Sequence, residues 1–187
     1  MGAYCRGAAL EAVVREARKQ EFISWLRDGA PGADFSPEML AEVRGQWAMN
    51  LYLAGTSAWH RCFRPPVIDA WLSAIESGTL GTTAPVRMEV LYSAQNLLHY
   101  RRMQIRLDTT HQLLCSPGCH ARAEEVQGLL AETGGLHHRS VKISDLLIAA
   151  VAEQHGATVW HYDADFDRIA AITGQPTEWI VPRGSIP

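Results

Sequence analysis

Two neighbouring stretches decide the fold of this chain: Lys142–Glu153, KISDLLIAAVAE, and Val159–Phe166, VWHYDADF. The first predicts an apolar helix beginning at Asp145, and the second predicts a short strand that ends on an acidic turn with Asp163 and Asp165. In an open parallel sheet, ligands bind beyond the carboxyl ends of the strands. Carboxylates that converge there are typical ligands of Mg²⁺ or Mn²⁺. The alternative is that Asp145 only caps its helix and that the other two acids only make a turn.

Composition indicates an ordinary globular protein. The 187 residues suit one α/β domain, or one such domain with an appendage. Hydrophobic residues make up 47% and charged residues 20%, and no apolar run approaches the ~18 residues of a membrane-spanning helix. No signal peptide is recognisable, so we expect a cytoplasmic location and no membrane partner. The net charge of −3 argues against coating nucleic acid through the overall field, so partners must be argued from local sites.

The cysteines give little functional signal. Cys5, Cys62, Cys115 and Cys119 are scattered and are expected to be reduced thiols. Cys115 and Cys119 with His120 resemble half of a zinc site, but no second ligand pair follows at zinc spacing. A structural zinc ion is therefore disfavoured.

Residues 1–47 are predicted to form a helical arm. An apolar stripe over residues 8–28 indicates a helix, which the Gly- and Pro-containing stretch Asp28–Gly32 ends, and a short second helix follows. Such an arm cannot bury a core of its own, so it is expected to pack on something else. The alternative is a disordered extension, which Phe22 and Trp25 disfavour.

From residue 50 onward the sequence alternates between strand and helix. The predicted elements are a strand at Leu51–Leu53, a helix from Pro65, a strand at Thr79–Thr83, one long helix from Pro85 into residues 99–106, a helix at Ala121–Glu132, the helix and strand of the opening stretches, a helix at Phe166–Ile172 and a strand at Glu178–Val181. Residues 107–119 and 136–142 are expected to be irregular. The order βαβααβαβ implies a mostly parallel sheet with helices on both faces and right-handed crossovers.

Further polar residues are predicted near the same sheet edge. Glu89 lies one turn into the helix that follows the second strand, which brings it to the edge that holds Asp145. The loop Leu136–Lys142 places two histidines, Arg139 and Lys142 directly before Asp145. Exposed loop residues are the favoured interpretation of the histidines, with a metal site as the alternative.

Together these motifs resemble a PIN domain, and specifically a VapC-type ribonuclease toxin of a bacterial type II toxin–antitoxin system. The matching pieces, within residues 49–187, are Leu53–Arg61, Met88–Leu91, Lys142–Ala150 and Asp163–Asp167. The resemblance implies a three-layer α/β/α fold and an Mg²⁺- or Mn²⁺-dependent endoribonuclease that hydrolyses RNA phosphodiester bonds. It also implies a VapB-type antitoxin as partner and a homodimer.

The resemblance implies four acids around the metal. The matching residues are Glu89, Asp145 and Asp163 as catalytic and metal ligands, with Asp165 as an adjacent metal-binding helper. The fourth position differs, because the family's first strand ends in Asp-Thr-Ser and this chain has Gly55, Thr56 and Ser57 there. Losing an outer-shell partner of a metal typically costs about 10–100-fold, so losing a ligand is expected to impair activity at least as much. The alternative function is a catalytically inactive PIN-like protein that binds an antitoxin or RNA.

Five polar residues beside these motifs are candidates for substrate binding. They are Thr56, Ser57, Arg61, Arg139 and Lys142. The two hydroxyl groups would position a water molecule or a phosphate oxygen, and the alternative is that they only satisfy backbone groups at a strand end. The three cations would bind phosphates, which carry little sequence information.

The arm has a resemblance of its own. Ala9–Trp47 is similar to the C-terminal half of a VapB antitoxin, a segment that lays a helix on its toxin and points a basic side chain into the acidic site. Arg27 or Arg44 would supply that side chain. The hypothesis is an antitoxin remnant fused to a PIN domain at residues 49–187, which it inhibits in cis through the high effective concentration of a tether. The alternative is a structural remnant that contributes no stability.

Overall fold

The computed structural model describes residues 51–186, and its elements are numbered here within that part. The strands are β1 (Tyr52–Ala54), β2 (Leu80–Thr82), β3 (His111–Gln112), β4 (Thr158–His161) and β5 (Thr177–Trp179). The helices are α1 (Thr56–Trp59), α2 (Pro65–Glu76), α3 (Ala84–Tyr92), α4 (Leu97–Leu107), α5 (Pro117–Glu132), α6 (His137–Ser140), α7 (Ile143–His155) and α8 (Ala164–Thr173). The strands form one parallel sheet in the order β3-β2-β1-β4-β5. The predicted three-layer α/β/α fold is confirmed.

The position of β1 determines where a ligand can bind. Leu53 of β1 pairs with Gly81 of β2 on one side and with Val159 of β4 on the other. The chain continues outward from β1 through β2 to β3, while β4 and β5 occupy the opposite side. The order of the strands therefore reverses between β1 and β4, and such a reversal opens a crevice at the carboxyl ends of the strands.

The core fixes the elements that border this crevice. Leu53, Ile148 and Val159 are fully buried, and each such side chain contributes roughly 1.5–3 kcal/mol through removal of apolar surface from water. Trp71 lies between two other indoles, with ring centroids 4.8 Å from Trp59 and 5.9 Å from Trp160. Helix α7 buries residues on most of its surface. Side chains in its first turn therefore stand on a rigid element.

The predicted long helix from Pro85 into residues 99–106 is wrong, because the chain forms two helices there. Ser93 ends α3, and its hydroxyl donates a hydrogen bond to the carbonyl of Val90 at 2.7 Å. Asn96 then caps α4, with its side-chain oxygen accepting from the N–H of His99 at 2.9 Å. A side-chain cap of this kind satisfies a backbone donor that a new helix would otherwise leave unpaired. The apolar periodicity continues across the break, which is why the sequence suggests one helix.

Other differences concern short elements. The stretch 107–119, expected to be irregular, contains β3, which pairs through His111 with Gly81, and the first residues of α5. The loop 136–142 contains α6. Helix α7 begins at Ile143 with Lys142 as its N-cap, so Asp145 is a residue of the first turn and not the cap. Two-residue strands and four-residue helices carry too little periodicity to be recognised in a sequence.

The helical arm predicted at residues 1–47, with Arg27 and Arg44, lies outside the residues that the structure describes. Within residues 51–186, every helix is too short or too polar to cross a bilayer.

Candidate active site

Three different elements position the acids at the sheet edge. Asp145 stands in the first turn of α7, and Glu89 stands in the second turn of α3. Asp163 lies two residues after the end of β4 and caps α8, because its Oδ1 accepts a hydrogen bond from the N–H of Asp165 at 3.1 Å. Local capping and the parallel strand order together bring these three side chains to one cleft.

Three of the carboxylates form a compact acidic cluster. Oxygen atoms of Asp145, Asp163 and Asp165 all lie within 4.8 Å of one another, and residues 51–186 contain no other such group of His, Cys, Asp and Glu. Asp165 also pairs with Arg168, one turn further along α8. The charge of Glu89 acts on Asp145, although Glu89 itself is not part of the cluster.

Asp145 is the most buried member of the cluster. It is 5% exposed, and its Oδ2 is buried without a hydrogen-bond partner in the described part of the chain. Burial raises the pKa of Asp145 to about 7, the charge of Lys142 lowers it, and the charges of Asp163, Glu89 and Asp165 raise it further. An unpartnered carboxylate among like charges is stabilised when a cation binds. The donor set consists of hard oxygen atoms, so these residues fit a divalent ion of the Mg²⁺ or Mn²⁺ kind.

The acids border a cleft of about 590 Å³. Its lining residues are Thr56, Ser57, His60, Arg61, Met88, Glu89, Tyr92, Lys142, Asp145 and Asp163. Four of the five candidates for substrate binding are among them. The fifth, Arg139, is exposed on α6 and does not line the cleft. His60 and Tyr92 carry no motif that points to a function, although the spacing of Tyr92 three residues after Glu89 places both on one helix face.

The two adjacent hydroxyl groups have different partners. The hydroxyl of Thr56 donates a hydrogen bond to Oε2 of Glu89 at 2.5 Å. The hydroxyl of Ser57 accepts from the backbone N–H of Tyr162 at 2.9 Å. Ser57 therefore joins the ends of β1 and β4, whereas Thr56 orients an acid of the site.

Gly55 occupies the first position after β1, and its backbone conformation does not require glycine. Its φ of −70° and ψ of 163° are extended values. A Cβ atom built there would lie 3.4 Å from the ring of Phe166 and 3.6 Å from the carbonyl oxygen of Trp160, which are ordinary van der Waals distances. Neither conformation nor space at the Cβ requires glycine here.

His161 is a supporting residue that the sequence motifs do not reveal. It is fully buried at the end of β4, and its Nδ1 accepts a hydrogen bond from the backbone N–H of Asp163 at 3.2 Å. Burial lowers the pKa of His161, although the nearby charge of Asp167 raises it. A neutral imidazole with Nδ1 as acceptor holds the backbone that carries the Asp163 carboxylate.

Arg61 has a fixed place on the cleft wall. Its NH1 donates to the carbonyl of Ser57 at 3.1 Å, and its guanidinium carbon lies 4.3 Å from the centre of the Tyr162 ring. A guanidinium stacked in this way keeps its charge while losing much of its conformational freedom. Arg61 and Lys142 therefore add positive charge to the border of an acidic site.

Comparison with known proteins gives consistent matches. The sequence model of the PIN domain matches residues 52–172. Ribonuclease VapC18 of Mycobacterium tuberculosis is 49% identical over 136 residues, which are 73% of this chain and 99% of that protein. Ribonuclease VapC51 of the same organism is 44% identical over 135 residues, which are 72% of this chain and 96% of that protein.

Solved structures with the same fold include two VapBC assemblies. The structure of VapBC2 from Rickettsia felis, bound to a DNA fragment from its promoter, gives a TM-score of 0.57 at 20% identity, covering 69% of this chain and 98% of that chain. DNA-bound VapBC from Salmonella typhimurium gives a TM-score of 0.57 at 17% identity, covering 71% of this chain and 100% of that chain. At these identities the likeness concerns the fold alone.

Proposed function

The chain belongs to the PIN-domain family, among the relatives of the VapC ribonucleases, and from this premise we propose that it is a metal-dependent endoribonuclease toxin. Its substrate is RNA, and its reaction is hydrolysis of phosphodiester bonds. The observation that carries the proposal is the acidic cluster at the switch point of the sheet, with a buried, unpartnered oxygen of Asp145. A structural cluster would place each buried carboxylate oxygen against a donor, and Oδ2 of Asp145 lacks one in the described region.

The acids of the cleft would hold the ion. Asp145, Asp163 and Asp165 would be its ligands, with Glu89 as a further ligand. A bound Mg²⁺ or Mn²⁺ ion supplies hydroxide near neutral pH and neutralises charge that develops on the phosphoryl oxygens. Asp145 must lose its proton before it binds a cation, and its pKa of about 7 places that step near neutral pH.

Other residues of the cleft orient one of the acids or attract the substrate. Thr56 holds one oxygen of Glu89, which restricts the carboxylate to one orientation. Arg61 and Lys142 offset the negative potential of the acids, which would otherwise repel RNA. Because phosphate contacts carry little sequence information, these two cations position the strand without selecting its bases.

The proposal is tested by titrating the full chain with MnCl₂ in a calorimeter and by measuring RNA cleavage with and without EDTA. We expect a binding isotherm and cleavage that EDTA abolishes. Asp163→Asn is expected to weaken Mn²⁺ binding and RNA cleavage by at least about 10–100-fold, because it removes a negatively charged ligand of the ion. The matched control is Asp69→Asn, an exposed acid on α2, which should leave both unchanged. Cleavage that persists in EDTA, or equal effects of the two variants, would contradict the proposal.

The inactive alternative predicts a different outcome of the same titration. A PIN-like binding protein that has lost hydrolysis shows no RNA cleavage with any divalent ion, even where the ion binds. Gly55 is the observation that favours this alternative, because the family's first acid is absent there.

A VapB-type antitoxin is the proposed protein partner, and the proposed oligomer is a homodimer. An apolar groove of about 410 Å³ beside α2 and α4 supports the first proposal. Its lining includes Trp71 together with Phe63 and Leu72, which are 61% and 48% exposed. A groove of this kind suits the apolar face of an amphipathic helix. Solved VapBC structures are also among those with the same fold.

Residues 1–47 are proposed to inhibit cleavage in cis. We expect the full chain to cleave RNA roughly 10-fold or more slowly than residues 49–187, because a tether raises the effective concentration of an inhibitor. Both forms should carry Gly55→Asp, so that cleavage is strong enough to compare. Equal rates would contradict inhibition, and an equal unfolding midpoint would favour a remnant without a structural role.

A further inference from the structure

We propose that Tyr92 and Met88 form a stacking platform for an unpaired RNA base beside the acidic cluster. This inference rests on the proposed ribonuclease function and adds the residues that would contact a base of the substrate beside the acidic cluster.

The first observation is the exposure of two large side chains at the cleft. Tyr92 is 92% exposed and Met88 is 72% exposed, and both line the cleft that holds Glu89 and Asp145. Both stand on α3, next to or three residues from Glu89, so the acid and the platform share one rigid helix. Large apolar side chains grouped at the border of a polar cleft typically mark a binding surface.

The second observation is the distribution of charge in the cleft. The acids lie at the end of the sheet, while Arg61 and Lys142 line the same cleft. A nucleotide offers a phosphate for the cations and a flat base for an aromatic ring. Tyrosine suits the base because it provides a large contact area and has few rotatable bonds to order. The cleft thus offers complementary groups for both parts of one nucleotide.

Stacking on the platform requires that the base be free. In a duplex both faces of a base are covered by its neighbours, whereas an unpaired base can stack on an aromatic side chain. Apolar protein partners fit this border poorly, because they would desolvate the carboxylates of Glu89 and Asp145 without pairing them. The neighbouring acids therefore favour a nucleotide as the occupant of the platform.

The test compares three variants of the full chain. Tyr92→Ala removes the platform, Tyr92→Phe preserves the ring, and Tyr100→Ala is the matched control. Tyr100 is 40% exposed on α4 and does not line the cleft. The probe is a short fluorescein-labelled RNA of mixed sequence, read by anisotropy in Ca²⁺, with its integrity checked on a denaturing gel.

We expect Tyr92→Ala to weaken binding of the single strand roughly 5- to 150-fold, the equivalent of about 1–3 kcal/mol of stacking per base. Tyr92→Phe and Tyr100→Ala should bind like the unaltered chain, and Tyr92→Ala should not change binding of the same sequence as a duplex. Equal losses for Tyr92→Ala and Tyr100→Ala, or equal losses on single strand and duplex, would overturn the platform.

An abasic scan of the RNA identifies the stacked base. Removing one base at a time should reveal a position that weakens binding to the unaltered chain and has no further effect on Tyr92→Ala. If no position behaves in this way, or if Tyr92→Ala changes self-association and leaves RNA binding intact, the platform is overturned. Failure of both the unaltered chain and residues 49–187 to bind any RNA would overturn the proposed function as well, so the two failures are distinguishable.

Discussion

Gly55→Asp is expected to increase both metal affinity and the rate of RNA cleavage by at least about 10–100-fold. The substitution places a carboxylate at the end of β1, the strand that lies between β2 and β4. The backbone at Gly55 is already extended, and a Cβ there meets only ordinary contacts. Added negative charge beside Asp145, Asp163 and Glu89 strengthens the attraction for a divalent cation.

The effect of Gly55→Asp is measured by Mn²⁺ calorimetry and by an RNA cleavage assay. Gly55→Asn is the matched control, because it has the same size and no charge. We expect the asparagine variant to resemble the unaltered chain in both assays. If the two variants behave alike, the vacant acidic position does not limit the site. A metal-free Gly55→Asp protein should also be less stable than the unaltered chain, since a further negative charge increases the electrostatic repulsion within the cluster in the folded state.

Asp145→Asn is expected to lower RNA cleavage by at least about 100-fold and to stabilise the metal-free fold above pH 7. Both effects have one cause. The buried carboxylate of Asp145 attracts the cation, and its charge destabilises the folded state when no cation is bound. In the folded state its pKa is about 7, and its ordinary value is 3.8. The folded protein therefore holds a proton that the unfolded chain releases between these pH values.

The sign of the pH dependence follows from this difference. The contribution of Asp145 to stability falls as the pH rises from about 4 to 7, and its full cost is present above pH 7. A shift of this size corresponds to at most about 4 kcal/mol. Urea unfolding in EDTA at pH 5 and pH 8 measures the part of this loss of stability that falls between those two pH values, with Asp145→Asn as the reference for the other acids of the cluster. Equal pH dependence in the two proteins would contradict this account, whereas added Mn²⁺ should stabilise only the unaltered chain.

The sequence is most informative where a single element carries both periodicity and a motif. Asp145 lies in the first turn of α7 and Asp163 lies just after β4. Both elements are apolar enough to be recognised, so the meeting of the two acids at one sheet edge is predictable. The break between α3 and α4 is not predictable in this way, because it depends on the caps at Ser93 and Asn96 within a continuous apolar pattern.

Features that arise from three-dimensional packing are absent from the sequence pattern. The burial of the unpartnered Asp145 oxygen and the backbone contact of His161 depend on elements far apart in the chain. The exclusion of Arg139 from the cleft depends on α6, whose four residues give no periodic signal. The roles of the acids and cations follow from the family resemblance and stay predictions until the variants are measured.

The conformation of Gly55 makes the missing acid a reversible difference. Glycines at left-handed positions, such as Gly156 with φ of 62°, cannot accept a side chain without strain. Gly55, with φ of −70°, has no such restriction. A single residue substitution at Gly55 would therefore complete a four-acid site without rearranging the backbone. The fold preserves this capacity independently of whether the present site cleaves RNA.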